Sequence, residues 1–350
     1  MVGGASLLLL PLSWLLRQAV GLDPAELAVG FLMFHAAHVI NDPHFAVTYL
    51  LFYRHVKQRA FGASFSWQQR SRYIAAGFVV PLLLVAWASA SIVTGSAQGL
   101  GWMIQLMFLL VGWHYVKQGF GVLVVLSGRR GVSYTAVERR AVLAHCFAAW
   151  AYAWASPFDP GRTVEEKGVV YSTLAQLYGL ERWAQVAFFI TLPVLLVMLA
   201  RKWRREGRLP PLGPLSGLLV TVWLWTVYTS LDPLLMYMIP ALHSLQYLYF
   251  VWLLKRNQAR HEEGPPTFGR PVPIALGVLA LSALALGFVL FHALPAILDT
   301  ALASQPTRRL SELGPTPYFA ALFAVVNLHH YFMDFVIWRR DNPDTQYLKS

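Results

Sequence analysis

Long apolar runs recur from one end of this chain to the other, and they constrain its fold more than any other feature. The runs hold about 17 to 30 residues, and a helix needs roughly 20 to cross a bilayer. They predict an all-α, polytopic membrane bundle of about ten transmembrane helices, forming one membrane-integral domain over residues 1–350. The predicted spans are 4–22, 25–53, 73–95, 100–127, 139–156, 183–200, 213–231, 233–254, 272–298 and 316–338.

Composition supports the same class of protein. Hydrophobic residues make up 57% of the chain and charged residues only 13%, whereas a soluble domain averages about 25% charged. A net charge of +11 suggests nucleic acid at first sight, but the charges fall in short loops between apolar runs. There they match orientation signals and anionic lipid headgroups, so we expect membrane lipids and no nucleic acid as partners.

Two further observations narrow the class. The single cysteine, Cys146, excludes an internal disulfide framework and any Cys-based zinc or iron–sulfur site. The first run, 4–22, lacks a basic leading region and a small-residue cleavage site. It is therefore expected to be a retained helix and not a signal peptide.

Basic clusters follow every second span, which predicts the topology. The intervening connections are short or mix acids with bases, although Arg308 and Arg309 weaken this contrast in 299–315. The positive-inside rule then places both termini in the cytoplasm. We expect the protein to lie in an inner or cytoplasmic membrane. The clusters begin at Arg54, Arg129, Arg201, Lys255 and Arg339.

Deep histidines share one orientation. The second, fourth, eighth and tenth spans all run towards the cytoplasm, and the deep histidines lie in these four spans. Counted back from the basic ends, the histidines lie roughly 13 to 23 Å above the cytoplasmic charges at 1.5 Å per residue. Scattered core histidines would have no reason to agree in depth, so we expect one layer built around His44, His114, His243 and His330.

The second span is the most unusual, reading FHAAHVINDPHFAVTYLLFYR from Phe34 to Arg54. His35 and His38 are spaced i, i+3 and share a helix face. Pro43 disfavours a continuous helix, and a break at 41–43 is expected to swing His44 towards that pair. Ionisable groups at membrane depth are costly and indicate function.

The tenth span carries the sequence NLHHYFMD. His330 and Asp334 are spaced i, i+4, so the carboxylate is expected to accept the second ring N–H of His330 or to bind the ion itself. His329 diverges from His330 by about 100° and would serve a second ion or the substrate. The alternative is an interfacial aromatic belt with two hydrogen-bonded histidines.

The fourth span combines His114 and Gln118 at i, i+4 with Lys117 between them. Lys117 lies deep for a snorkelling lysine, which suggests a counter-ion for an anionic substrate group or a partner for Asp42 or Asp334. A structural role for His114 is about equally favoured.

The eighth span places His243, Gln246 and Tyr247 on one helix face, with Pro240 just before them. Gln246 and Tyr247 would orient the ligand or line a cavity. A polar stripe between packed helices explains the same pattern.

Imidazole and carboxylate without thiolate suit iron, zinc, copper or manganese, and open positions suit dioxygen activation at iron. The interpretation is a metal-dependent oxidoreductase with one or two irons, a lipophilic substrate from the bilayer and an electron donor. The candidate ligands are His35, His38, His44, His114, His243, His329 and His330. The candidate catalytic groups are Asp334, Tyr247 and Lys117, supported by Asn41, Asp42, Gln118 and Gln246. The remaining histidines are interpreted as loop or packing residues: His55, His145, His261 and His292.

The groups His35-x-x-His38, Pro43-His44 and His329-His330 resemble the histidine boxes of membrane-integral non-haem iron enzymes, which include desaturases, hydroxylases and membrane carotene dioxygenases. That resemblance implies iron-dependent oxidation of a lipid. The familiar boxes HxxxH and HxxHH are absent, so the substrates of those families are not carried over.

Three other classes stay open. A b-type haem protein would use histidines at matched depth, such as His114 and His243, as axial ligands. A proton- or metal-coupled transporter would explain a broken helix at the midplane. A zinc hydrolase would use the same nitrogen and oxygen ligands.

Overall fold

The computed structural model describes residues 8–155, 162–174, 179–208, 210–223, 234–302 and 312–348. The chain is 81% helical with almost no sheet, as the apolar runs predict. The helices are α1 (Leu9–Val20), α2 (Leu22–Ala37), α3 (Asn41–Tyr53), α4 (Val56–Phe61), α5 (Trp67–Ile74), α6 (Val80–Thr94), α7 (Ala97–Gly128), α8 (Ala136–Ala155), α9 (Leu180–Glu206), α10 (Leu212–Trp223), α11 (Leu234–Glu262), α12 (Val272–Phe288), α13 (Leu294–Leu302) and α14 (Pro317–Ile337). Short π-helical turns join α5 to α6 and α12 to α13, and a 3-10 helix covers Pro343–Leu348.

Five of the described helical stretches are long and apolar enough to cross a membrane. They are Trp67–Thr94, Ala97–Gly128, Leu180–Glu206, Val272–Leu302 and Pro317–Ile337. Large apolar side chains stay exposed on them, including Leu82 and Leu281 at 70% each. Such surface is tolerated where lipid covers it, which is the pattern of a membrane protein.

The second predicted span is two helices and not one. α2 ends at Ala37, a turn covers 38–40, and α3 begins at Asn41. The break therefore falls just before the expected position. Pro43 stands in the first turn of α3, where its missing N–H removes no helical hydrogen bond.

Close packing holds α3 in the middle of the bundle. α3 packs along α12, and a Cβ at Gly287 would lie 2.8 Å from the backbone carbon of Asp42. One apolar core joins α3, α6, α7 and α14 through residues such as Phe45, Met103 and Leu328. A side chain at residue 287 would push α12 away from α3.

The helices α8, α9 and α10 form a second group on the other side of α7. They share a core around Val142, Phe188 and Leu218. A small antiparallel hairpin, β1 (Thr163–Glu166) and β2 (Val169–Ser172), pairs Thr163 with Ser172 and packs Tyr171 over Gly101 of α7. The hairpin lies in the connection between the predicted spans 139–156 and 183–200.

Several sequence-based expectations lie outside the described residues. They concern the start of the first span, the end of the seventh span with its connection to the eighth, and Arg308 with Arg309.

Candidate metal centre

Four histidines from four different helices converge in the core. His44 comes from α3, His114 from α7, His243 from α11 and His330 from α14, and each is 4% exposed or less. The Nε2 atom of His114 lies 3.0 Å from Nε2 of His243 and 3.3 Å from Nε2 of His330. The ring of His44 lies 4.5 Å from that of His330 and 5.0 Å from that of His243, centroid to centroid. We call these four residues the central cluster.

His114 is the hub of the central cluster, and a carboxylate orients it. Its Nδ1 lies 3.4 Å from Oδ2 of Asp334, so the carboxylate favours the tautomer that carries the proton on Nδ1. A neutral imidazole carries one N–H, which leaves a lone pair on Nε2, the atom that faces His243 and His330. The sequence pattern assigned Asp334 to His330, on the same helix, but the contact runs across to α7.

His44 is oriented by a short hydrogen-bond chain. Ser244 donates its hydroxyl to Oδ1 of Asn41 at 2.9 Å, and its oxygen lies 3.2 Å from Nδ1 of His44. Because the serine proton is already used, Nδ1 of His44 is the donor in that contact. Nε2 of His44 therefore carries a lone pair, and it is buried without a hydrogen-bond partner in the described structure.

This donor set fits a metal ion better than a hydrogen-bond network. His44, His114 and His330 each present a ligand atom within 4.8 Å of the other two. Two nitrogens 2.0–2.1 Å from one ion lie about 3.4 Å apart in tetrahedral geometry, close to the spacings around His114. Buried nitrogens without partners cost about 1–3 kcal/mol each, and both Nε2 of His44 and Nδ1 of His330 are in that state within the described residues.

Asp334 carries further hydrogen bonds that fix it in place. Trp338 donates its ring N–H to Oδ1 of Asp334, and Tyr247 also hydrogen bonds the carboxylate. The hydroxyl of Tyr247 lies 2.6 Å from Oγ1 of Thr48, which donates to the carbonyl of His44. One buried network thus links the carboxylate to α3, α7 and α11.

Gln118 and Gln246 join two helices, and no hydrogen bond of the described structure links either side chain to an imidazole nitrogen. Nε2 of Gln118 donates to the carbonyl of His243 at 3.1 Å and to Oε1 of Gln246 at 3.2 Å. These bonds join α7 to α11 directly beside the central cluster. Lys117 pairs with neither Asp42 nor Asp334 in the described structure; its Nζ lies 5.4 Å from the centroid of Phe147.

His329 stands next to His330 but uses both ring nitrogens elsewhere. Nε2 lies 2.9 Å from the carbonyl of Ala76 and therefore donates, so Nδ1 accepts from the hydroxyl of Tyr49 at 3.0 Å. Ala76 belongs to the π-helical turn between α5 and α6. The structure thus gives His329 a packing role between helices, with no nitrogen left for an ion.

A second polar group lies at the break between α2 and α3. Oδ2 of Asp42 lies 2.7 Å from Nε2 of His292, and the ring of His38 stacks on that of His292 at 4.1 Å. We call His38, Asp42 and His292 the peripheral group; its ligand atoms also lie within 4.8 Å of one another. His35 is exposed and packs against Phe31 and His38. His44 turns into the central cluster and away from this pair.

A cavity of about 720 Å³ reaches the central cluster from one side. His114, Lys117, Gln118, Tyr247 and Asp334 line it, together with apolar side chains of α7, α11 and α14. Pockets of this size hold small molecules the size of a drug or a lipid chain. The three predicted catalytic groups therefore share one wall with His114.

Sequence reasoning missed three residues of these sites: Ser244, Thr48 and His292. Ser244 directly follows His243, and Thr48 stands four residues after His44, so both have a local signal. His292 sits in the π-helical turn of a span that runs the other way, where residue counting misjudges depth.

No protein-family model, curated protein or solved structure matches this chain. What the site can do must therefore be argued from its own residues.

Proposed function

We propose that this protein is a membrane-embedded, metal-dependent oxidoreductase of the oxygenase, hydroxylase or desaturase type, acting on a lipophilic substrate. The observation that carries the proposal is the convergence of imidazole nitrogens on His114, with spacings of 3.0 and 3.3 Å, beside a substrate-sized cavity. His44, His114, His243 and His330 would hold the ion.

Iron is the ion we propose, in one or two copies, because a nitrogen-rich site with a nearby carboxylate and open positions suits dioxygen chemistry at non-haem iron. When bound, the ion would supply the redox chemistry, and an electron donor would complete the turnover. Zinc, copper and manganese accept the same ligands.

The protein's own residues have clear tasks in this proposal. Asp334 orients His114 through its Nδ1–H, as carboxylates do for metal-bound histidines. Asn41 and Ser244 orient His44 in the same way. Tyr247 and Asp334 line the cavity, where they would contact the substrate and hold or accept a proton.

The topology we propose has ten spans, both termini in the cytoplasm and an inner or cytoplasmic membrane as its location. It is supported by the five apolar helices and by the alternation of basic loops. It places the arginines that line the cavity, such as Arg129 and Arg339, at the cytoplasmic side.

A transporter is the second candidate, because the chain is broken at 38–40 beside a polar group. A b-type haem is disfavoured by the 3.0 Å contact between His114 and His243, since a porphyrin must fit between its two axial imidazoles.

Elemental analysis and an absorption spectrum, on protein purified in detergent without added metal, test the proposal. Iron without a Soret band supports it. Zinc redirects the function to hydrolysis, and a Soret band to electron transfer. Absence of metal, together with transport in proteoliposomes, would replace it by the transporter.

A further inference from the structure

The cavity beside the central cluster has two chemically different ends. Its inner end reaches His114, Tyr247 and Asp334. Its outer end is lined by four arginines from three segments: Arg129, Arg139, Arg339 and Arg340. Arg129 stands fifteen residues after His114, and Arg339 and Arg340 stand nine and ten residues after His330, which is roughly 13 to 23 Å at 1.5 Å per residue.

The charge of this cavity is strongly one-sided. Asp334 is the one carboxylate among its described lining residues, and it is already engaged by His114, Tyr247 and Trp338. Neither Arg129 nor Arg340 pairs with a carboxylate in the described structure. Orientation in the membrane requires basic loops but does not require four arginines to line one cavity.

The wall between the two ends is apolar. Trp113 and Phe120 of α7, Phe250 of α11 and Phe335 of α14 supply most of it. Lys117 is the only cation placed part-way along this wall among the described residues. A ligand that matches the cavity therefore needs an apolar chain and, at one end, an anionic group.

We propose that the cavity binds an anionic amphiphile, an oxyanion on a long hydrocarbon chain, with its head on the arginines and its chain extending towards His114 and Asp334. This deepens the proposed function, because it names the substrate class of the same site. Arginine suits the head because its planar fork binds carboxylate and phosphate in a bidentate manner. The chain then brings apolar carbon atoms, and not the charged head, next to the central cluster.

The test is a binding assay on the detergent-purified full chain, with tritiated hexadecanoate as the probe. Competitors are hexadecyl phosphate, hexadecanol, hexadecyltrimethylammonium and inorganic phosphate. We expect the first to compete strongly and the other three weakly. The ratio of hexadecanoate to hexadecyl phosphate affinity tells a carboxylate lipid from a phosphate lipid.

The variants Arg129→Gln and Arg340→Gln each remove one guanidinium group from the outer end of the cavity. Each should weaken hexadecanoate binding by about ten- to a hundredfold, the effect of losing a hydrogen bond to a charged group. Arg270→Gln, which removes the same charge from an exposed residue outside the cavity, should leave it unchanged. Binding to the unaltered chain should also weaken as salt rises, which tests the head contact without a substitution.

Equal competition by hexadecanol would overturn the proposal, because the head would not be recognised. Equal competition by inorganic phosphate would show that the site binds small anions without recognising the chain. If Arg270→Gln weakened binding as much as Arg129→Gln, the arginines of the cavity would act only through the net charge of the protein. Metal content is measured on the same samples. Preference for an anionic head in a protein without metal would contradict the proposed function but not this inference. Bound metal without that preference would contradict only this inference.

Discussion

The protein contains two histidine–carboxylate groups that differ in how many imidazole nitrogens remain free of hydrogen bonds within the described residues. In the central cluster, Asp334 and Ser244 each use one nitrogen of a histidine and leave the other one facing its neighbours. In the peripheral group, Asp42 and His292 satisfy each other at 2.7 Å, and the His292 side chain is 27% exposed. The difference teaches that proximity of histidine and aspartate alone does not favour a metal site, whereas unsatisfied, buried and oriented lone pairs do.

The strongest test of this comparison is removal of the hub. His114→Ala should abolish metal binding, because its Nε2 is the contact shared by His243 and His330 and its Nδ1 anchors Asp334. Metal per chain is measured by elemental analysis after size-exclusion chromatography. The matched control is His292→Ala in the peripheral group, which should keep its metal.

The adjacent pair His329 and His330 offers an equally sharp contrast. His330→Ala should remove most of the metal, whereas His329→Ala should retain it and lower thermal stability, since His329 bonds Tyr49 and Ala76. Metal content and the melting temperature are measured on the same samples. Equal loss of metal from both variants would show that His329 is needed for metal binding, as the sequence pattern predicted.

The two carboxylates can be compared by the same substitution. Asp334→Asn should weaken metal affinity by about ten- to a hundredfold, the usual cost of losing the group that orients a ligand. Asp42→Asn should leave the affinity as it was. Titration against a competing chelator gives both values, and a reversed order would make the peripheral group the metal centre.

A fourth prediction concerns the stability of the peripheral group. Asp42→Asn should lower the free energy of unfolding by about 1–2 kcal/mol, through loss of one charge-assisted hydrogen bond that is partly exposed. Denaturation in mixed micelles measures it. His292→Gln, which retains a donor, should lose less. An unchanged stability in both would show that the pair does not hold α3 against the π-helical turn that follows α12.

The smallest expected effect comes from Ser244. Ser244→Ala removes the acceptor for Nδ1 of His44, so that both ring tautomers become accessible. Metal affinity should fall about three- to tenfold, in line with one neutral hydrogen bond. Ser216→Ala, on an exposed hydroxyl of α10, is the control and should change nothing.

Sequence reasoning reached the class of fold because apolar length is a direct signal. It also selected His44, His114, His243 and His330 as one layer, since equal depth on similarly oriented helices follows from residue counting. The structure brings these four together. Whether they bind an ion stays a prediction.

The other contacts of the site depend on how each helix is rotated about its axis and on where a helix is interrupted. Counting residues along the chain predicts neither. The break at 38–40 separates His38 from His44 by sending them to different partners. Two π-helical turns shift the register of their helices, and one of them carries His292 to Asp42. The partner of Asp334 is on another helix, a contact that no spacing within α14 reveals.

The four helices of the central cluster are far apart in the chain, and this has a consequence for biogenesis. α3 is made early in synthesis and α14 late, and His330 and Asp334 both belong to α14. Until that helix has been inserted, His114 has neither its carboxylate nor one of its two neighbours. If the central cluster binds an ion as proposed, a nascent chain would offer no finished coordination sphere, and the ion would be loaded only after the last helix had been inserted.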